Sequence, residues 1–472
     1  MFRAMRTAFA IDLVTVLALS ARAGAQPLAT PRVGGGAFSG PAEPDVTAIY
    51  WNPAAIGGMR GLDLYIDGAL RLDRGVLARD PIDTTTGAPA SAGTAPDDRR
   101  AFPTVRTSDA TPDLFAGATW DFGTKKIVVG LASYAPYVER LHAADDWPGR
   151  YYRQDLDWRH VYVTGAVAYK ATDNWYVGIA PSIAWSWLRL RFARDTALDR
   201  PSAATAHYES DDQVEDLAID VGTRDVAWSF GTLVRVTSRF DIGATWIHPP
   251  AGGLRAEGDA TAGGPAHDGR TLAGVATATW SLPDQVLVGV DVRPTPRWQF
   301  GAWGRWSNWS IHDRLEIDLS SAAFGDADVP SSVLFWRGFR DTFGVQTTGA
   351  YRPLSRLRLL ASALVESPLT DESRVNPAQA GGPRIDGLVG AEVSLPRGVR
   401  MSLSYGLVAF ADRDPSDSGF DPRWAVGCQD AALDIDDPNC RRLVEGRALP
   451  TPSGSYERTV HRIGVGLGWD IW

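Results

Sequence analysis

The sequence predicts an all-β chain: a 14-stranded antiparallel transmembrane β-barrel with a small N-terminal hatch in its lumen. Three observations lead there. Segments of period-two alternation recur fourteen times from residue 61 to the last residue, long and short connections take turns between them, and an export-type leader precedes them. An even count lets the first and last strands of a bacterial single-chain barrel meet antiparallel.

Composition agrees. Gly (48), Trp (18) and Tyr (13) are plentiful among 472 residues, whereas Met (4) and Cys (2) are scarce, which favours β-structure with aromatic belts over helical bundles. The mean hydropathy of -0.15 suits such a barrel, because only alternate strand residues face lipid. A net charge of -9, with both signs mixed along the chain, disfavours a nucleic-acid partner.

Residues 1–25 read as a signal peptide. Arg3 and Arg6 precede an apolar run from Ala8 to Leu19, and Ala23-Gly24-Ala25 supplies small residues before a cut at Gln26; Asp12 within the run is atypical. Beyond it no run of about 18 apolar residues occurs, so no transmembrane helix is expected. Residues 26–60 follow as the hatch, centred on Asp45 to Ile56. The Asn52-Pro53 step holds Asn52 in an extended or turn conformation, and the apolar residues Ile49, Tyr50, Trp51 and Ile56 need cover from something larger.

Residues 61–472 form the barrel. Leu62, Leu64, Ile66, Leu70 and Leu72 alternate with Asp63, Tyr65, Asp67 and Arg71 in the first strand; Val286, Val288, Val290 and Val292, and later Val399, Met401, Leu403 and Tyr405, repeat the pattern. Strands are expected at 61–72, 112–122, 126–136, 158–169, 174–191, 226–236, 239–248, 275–293 (bent at Pro283), 298–318, 336–351, 356–366, 386–395, 398–411 and 458–472. Alternation alone does not separate a soluble sandwich, apolar side inward, from a membrane barrel, apolar side outward. The leader, the final strand reaching the last residue, and Trp120, Trp158, Trp175, Trp298, Trp309 and Trp336 near strand ends select the barrel. Trp472 stands one residue out of phase with the last apolar face.

Short turns such as 121–125, 171–174 and 294–297 are expected at the periplasmic side. The long segments 73–111, 137–157, 192–225, 249–274, 319–335, 367–385 and 412–457 are expected to be extracellular. Cys428 and Cys440 share the last of these; in an oxidising compartment, and with no His beside them, a local disulfide is expected rather than a metal site.

Several stretches in order carry a family resemblance: Asp45 to Ala55 with Asn52-Pro53-Ala54, Gly130 to Tyr137, Trp147 to Tyr151, Leu282 to Val286, Arg293 to Trp298, Trp306 to Trp309, Phe339 to Thr342 and Glu366 to Arg374. Together they resemble the FadL/TodX (OmpP1) family of outer-membrane channels for long-chain fatty acids and hydrocarbons, over most of residues 37–411. The resemblance implies fourteen strands, a monomer in the outer membrane of a Gram-negative bacterium, and contact with lipopolysaccharide and the barrel-assembly machinery. It further implies passive uptake of hydrophobic small molecules, most readily long-chain fatty acids, past the hatch and sideways through the wall near the third strand, where Pro136 interrupts the ladder. Hatch residues Phe38, Ile49, Tyr50, Trp51 and Ile56 are then candidate ligand contacts. Arg150, Arg153 and Arg340 are candidate partners for a carboxylate, which a neutral hydrocarbon would not need. Segments 73–111 and 412–457 match nothing in the family.

No catalytic, cofactor or metal constellation stands out: the seven histidines are scattered and no nucleophile-elbow or metal-spaced motif occurs. Ser404 and His461, on neighbouring strands, are the one pair an enzyme reading would use. A general porin or structural barrel is the other alternative, against which an apolar hatch argues.

Overall fold

The computed structural model describes residues 39–471 except 86, 88, 197–206, 251–252, 313, 328, 372–374, 378–380 and 416–450. Fourteen antiparallel strands, four of them interrupted, close into one barrel. They are β1 Leu62–Arg79, β2 Val105–Trp120, β3 Ile127–His142, β4 Asp155–Lys170, β5 Trp175–Asp195, β6 Val214–Thr237, β7 Phe240–His248 with Leu254–Gly263, β8 Leu272–Trp280 with Gln285–Thr295, β9 Trp298–Ser307 with Arg314–Ser320, β10 Ser332–Trp336 with Thr342–Leu354, β11 Leu357–Glu366, β12 Arg384–Ser394, β13 Val399–Phe410 and β14 Gly454–Ile471. β1 and β14 seal the barrel in unbroken register from Leu62↔Ile471 to Arg79↔Gly454. No described helix is long and apolar enough to cross a membrane.

The expected count and order hold, including the bend that keeps both parts of β8 in one strand across Pro283, which has no N–H for the ladder. Several strands extend further than expected at the long-loop end. β6 begins at Val214 rather than 226, and Leu254–Gly263, expected within a loop, continues β7 along β6.

The reason is a reversal of the hydrophobic face at constant geometry. Along β5, Trp175, Val177, Ile179 and Trp187 point outward, while Ala180, Ser182, Ala184 and Ser186 are buried inward; from Leu188 onward Leu188, Leu190 and Phe192 fill the interior and Arg189 and Arg191 face out. β6 does the same: Val226, Trp228 and Phe230 face out near the short turns, Leu217, Ile219 and Val221 face in near the long loops, and its register with β5 never slips. The short-turn tier is thus built for lipid and the long-loop tier for water, apolar side inward, as in a soluble protein.

Tryptophans follow the two tiers. Trp120, Trp175 and Trp298 are 45, 44 and 44 % exposed on the outer wall, as a girdle requires, whereas Trp158 and Trp309, expected beside them, are 1 and 0 % exposed inside the lumen. The Trp336 side chain lies outside the described residues, as do Phe38, the leader, Cys428, Cys440 and Trp472.

Candidate functional site: the hatch, the wall beside it and the lumen

The hatch is a compact plug in the short-turn tier. Its described residues hold one short helix, α1 Ala48–Trp51, and a 3-10 turn, Ala55–Gly58. Asp45 caps α1: its Oδ1 accepts from the Ala48 N–H (3.0 Å) and the Thr47 hydroxyl (2.6 Å). Asn52, fully buried, is the tie-point. Its Nδ2 donates to the carbonyls of Pro41 (2.6 Å) and Thr232 on β6 (2.9 Å), and its Oδ1 accepts from the Ala54 N–H (3.0 Å). One side chain therefore closes the hatch on itself and fixes it to the wall, with Pro53 and Ala54 held in the turn.

Glycines in the wall make room for it. A Cβ at Gly231 would lie 1.9 Å from Asn52 Oδ1, one at Gly178 2.3 Å from the Ala54 nitrogen, and one at Gly243 1.9 Å from the Pro41 oxygen. None of these has a positive φ, so close approach of the hatch, not backbone conformation, requires glycine there. Ile49, Tyr50, Trp51 and Ile56 all pack against the barrel. Tyr50 meets Tyr134 edge-on at 5.4 Å and Trp51 meets Trp303 at 5.6 Å. Trp303 Nε1 also donates to the Ser39 carbonyl (2.8 Å).

Below the hatch, towards the short turns, lies a polar cavity of 390 Å³ bounded by Glu43, Asp45, Tyr65, Arg358, Arg400 and Asp470. Glu43 tethers the hatch at its edge, accepting from Gln299 Nε2 (2.6 Å) and lying 3.5 Å from the Arg358 guanidinium. Burial pushes its carboxyl up to about 7; Arg358 and Arg293 oppose the rise, while Asp291 and Asp45 add to it.

The wall is incomplete beside the plug. β2 pairs with β1 along almost its whole length, but with β3 only from Phe115↔Tyr134 to Trp120↔Val129, although both strands continue upward. Directly above that ladder, the register of β3 against β4 shifts between Tyr134 and Tyr137, so Pro136 sits in a bulge inside the strand and not at its end as expected. Tyr134, which ends the short ladder, is also the residue against which Tyr50 of the hatch packs.

The candidate cations do not converge. Arg150 Nη2 donates to Asp211 (2.7 Å) and to the Tyr151 hydroxyl (3.0 Å), Arg153 pairs with Glu139, and the exposed Arg340 pairs with Asp371. Ser404 and His461 are not assembled either. Ser404 stands opposite Gly464 and is buried on the lumen side, whereas His461 stands opposite Leu407 and bonds through Nδ1 to the outward-facing Tyr405 hydroxyl (2.8 Å). Among the described residues no group of three or more His, Cys, Asp or Glu is placed to hold a metal ion.

The interior above the hatch, missed by sequence reading, is filled by ion pairs such as Arg79–Glu209 and Arg458–Asp73 and by a ring-lined layer. In that layer the breaks of β9 and β10 turn Trp309, His312 and Phe339 into the lumen against Tyr137 of β3, Trp158 and His160 of β4 and Trp280 of β8. Prolines at 249, 250 and 283 mark the breaks of β7 and β8 in the sequence; those of β9 and β10 carry no proline.

A plugged fourteen-stranded barrel with a gap at its third strand is the architecture on which the comparisons bear. The family model for outer membrane transport proteins of the OMPP1/FadL/TodX type matches residues 14–374. The chain belongs to this family. The protein is accordingly a Gram-negative outer-membrane β-barrel for transport of hydrophobic substrates, in a family of channels and not of enzymes. Among solved structures, a FadL homologue of Pseudomonas aeruginosa superposes with a TM-score of 0.73 at 15 % identity, covering 96 % of this chain and 100 % of that one. The toluene transporter TodX of Pseudomonas putida gives 0.62 at 13 % identity (94 and 100 % covered), and the toluene transporter TbuX of Ralstonia pickettii 0.59 at 12 % (93 and 97 %). At such identities the likeness concerns the FadL-type fold. A search of curated protein sequences gives no match.

Proposed function

We propose that this FadL/TodX-family channel takes up long-chain fatty acids by passive diffusion, past a shifted hatch and out sideways between β2 and β3. The observation that carries the reading is the short β2–β3 ladder ending at Tyr134, the residue against which the hatch packs. A route that opens there delivers a greasy molecule into the bilayer and spares it the polar cavity below. In this reading Asn52, Pro53 and Ala54 set the hatch position, Pro136 keeps the wall unzipped, and Ile49, Tyr50, Trp51 and Ile56 become ligand contacts once the hatch moves. The protein works as a monomer, reaches the membrane through the barrel-assembly machinery and sits among lipopolysaccharide.

A second reading, uptake of neutral aromatic or aliphatic hydrocarbons, draws on the state of the arginines: Arg150, Arg153 and Arg340 each already hold a carboxylate, so a fatty acid must displace one. Uptake of radiolabelled oleate and toluene by cells lacking their own transporter separates the two. Oleate entry abolished in the Asn52→Ala, Pro53→Ala double variant supports the first; toluene entry alone supports the second. Entry of neither, with the barrel in the outer membrane, overturns both in favour of a structural or porin-like barrel.

A further inference from the structure

We propose that the ring-lined layer above the hatch is a binding site for hydrophobic molecules bearing one hydroxyl group on an aromatic ring, alkylphenols being the simplest. The site rests on the channel reading only for its place on a route; its binding chemistry stands on the following contacts.

Seven rings form a continuous network. Trp158 is its hub, 5.5 Å from Trp280, 5.6 Å from His312 and 6.0 Å from His160; His312 stacks on Phe339 at 5.2 Å, and Trp309 meets both Phe339 and Tyr137 at 5.9 Å. Such edge and stacked arrangements extend readily to one more ring. Within this setting four ring nitrogens have no hydrogen-bond partner among the described residues: Trp158 Nε1, Trp280 Nε1, His160 Nε2 and His312 Nε2. All four side chains are 0–1 % exposed. Buried polar atoms are ordinarily satisfied, so four orphans around one hub call for an occupant.

Their polarity defines it. His312 Nδ1 bonds the Ser281 carbonyl, which only accepts, so Nδ1 carries the proton and Nε2 of the neutral ring presents a lone pair. The two indole N–H groups only donate. The local set is therefore two donors and one acceptor. A hydroxyl accepts two hydrogen bonds and donates one, which matches it; a hydrocarbon leaves every atom orphaned, and an ionised carboxylate, which only accepts, has no proton for the His312 lone pair. His160, whose Nδ1 meets the Ser186 hydroxyl at 2.7 Å, takes either role. Arg337 lies over the Trp158 face at 5.7 Å, and its Nε–H, likewise without a partner among the described residues, adds a further donor at the edge of the layer.

The test is equilibrium binding of labelled 4-propylphenol and of propylbenzene to the purified full-length barrel in detergent, which reads the site independently of uptake. The phenol is expected to bind saturably and about tenfold more tightly than the hydrocarbon. His312→Phe, which keeps a ring but deletes the acceptor, is expected to weaken phenol binding about tenfold and leave propylbenzene unchanged. Trp280→Phe, which deletes one donor, reads the same difference should His312→Phe not fold, and heat-modifiable gel mobility reports the barrel in each variant. Equal affinities for the two probes, equal losses for both in the variants, or no saturable phenol binding, leaving water as the occupant, would each overturn the proposal. Phenol binding without any uptake in cells would instead count against the channel reading alone.

Discussion

Asn52 shows how much of the hatch rests on one side chain. Its fully buried carboxamide satisfies two carbonyls, Pro41 and Thr232, and one N–H, that of Ala54. Asn52→Ala leaves those groups buried and unpaired, at a cost of about 1–3 kcal/mol to hatch docking. Hydrogen exchange of the α1 amides is the measurement: their protection should fall while strand amides keep theirs. Glu43 gives the same plug a pH dependence. Its carboxyl rises from an ordinary 4.5 to about 7 on burial, so the docked state holds its proton more tightly than the released state does. The stabilisation from this group is full below pH 4.5, declines between 4.5 and 7, and is absent above. Hatch protection is therefore expected to weaken from pH 5 to pH 8, and Glu43→Gln should flatten that profile. Asp45 and Asp291, which face Glu43, would contribute any dependence that survives.

At the level of elements, wall and hatch are fitted through glycine. Gly231→Ala places a methyl within 1.9 Å of the Asn52 oxygen, an overpacking worth about 1–3 kcal/mol. It is expected to release the hatch, read as faster limited proteolysis near residue 60, without lowering the melting temperature of the barrel. The bulge of β3 makes the opposite point, since there the wall is weakened. Pro136→Val restores a backbone N–H next to the unpaired stretch, and on the proposed route oleate uptake should drop severalfold while barrel stability holds or rises; unchanged uptake would move the exit elsewhere. Of these features, sequence reading named Asn52-Pro53-Ala54 as the hatch motif and Pro136 as a break in the wall; the structure ties Asn52 to β6 and sets Pro136 in a bulge of β3. Sequence reading did not find Gly178, Gly231 or Gly243, because a glycine that admits a distant segment looks like any other glycine in a strand.

For the molecule as a whole, the two-tier wall decides what a surface substitution costs. Val288 faces out from the lipid tier, between the levels of Trp298 and Trp306, whereas Thr261 faces out from the water tier. Val288→Arg should cost about 2–4 kcal/mol in refolding into lipid vesicles, and Thr261→Arg close to nothing. The tiers also explain the strand boundaries. Val214 to Val221 and Leu254 to Ala262 alternate as cleanly as the lipid-facing segments, but Glu215, Asp216, Asp220, Arg255, Glu257 and Asp259 mixed among them read as loop. The sequence by itself determined what depends on local periodicity: fourteen strands, their order, the alternation of short and long connections, and an apolar plug ahead of them. Tertiary structure alone decided which face of each strand looks inward, because period two is blind to in and out. It likewise decided which arginines were already neutralised and which rings met above the hatch, since Tyr137 and Trp158 come from β3 and β4 and Trp280 and His312 from β8 and β9, two pairs far apart in the chain that only closure of the barrel brings together.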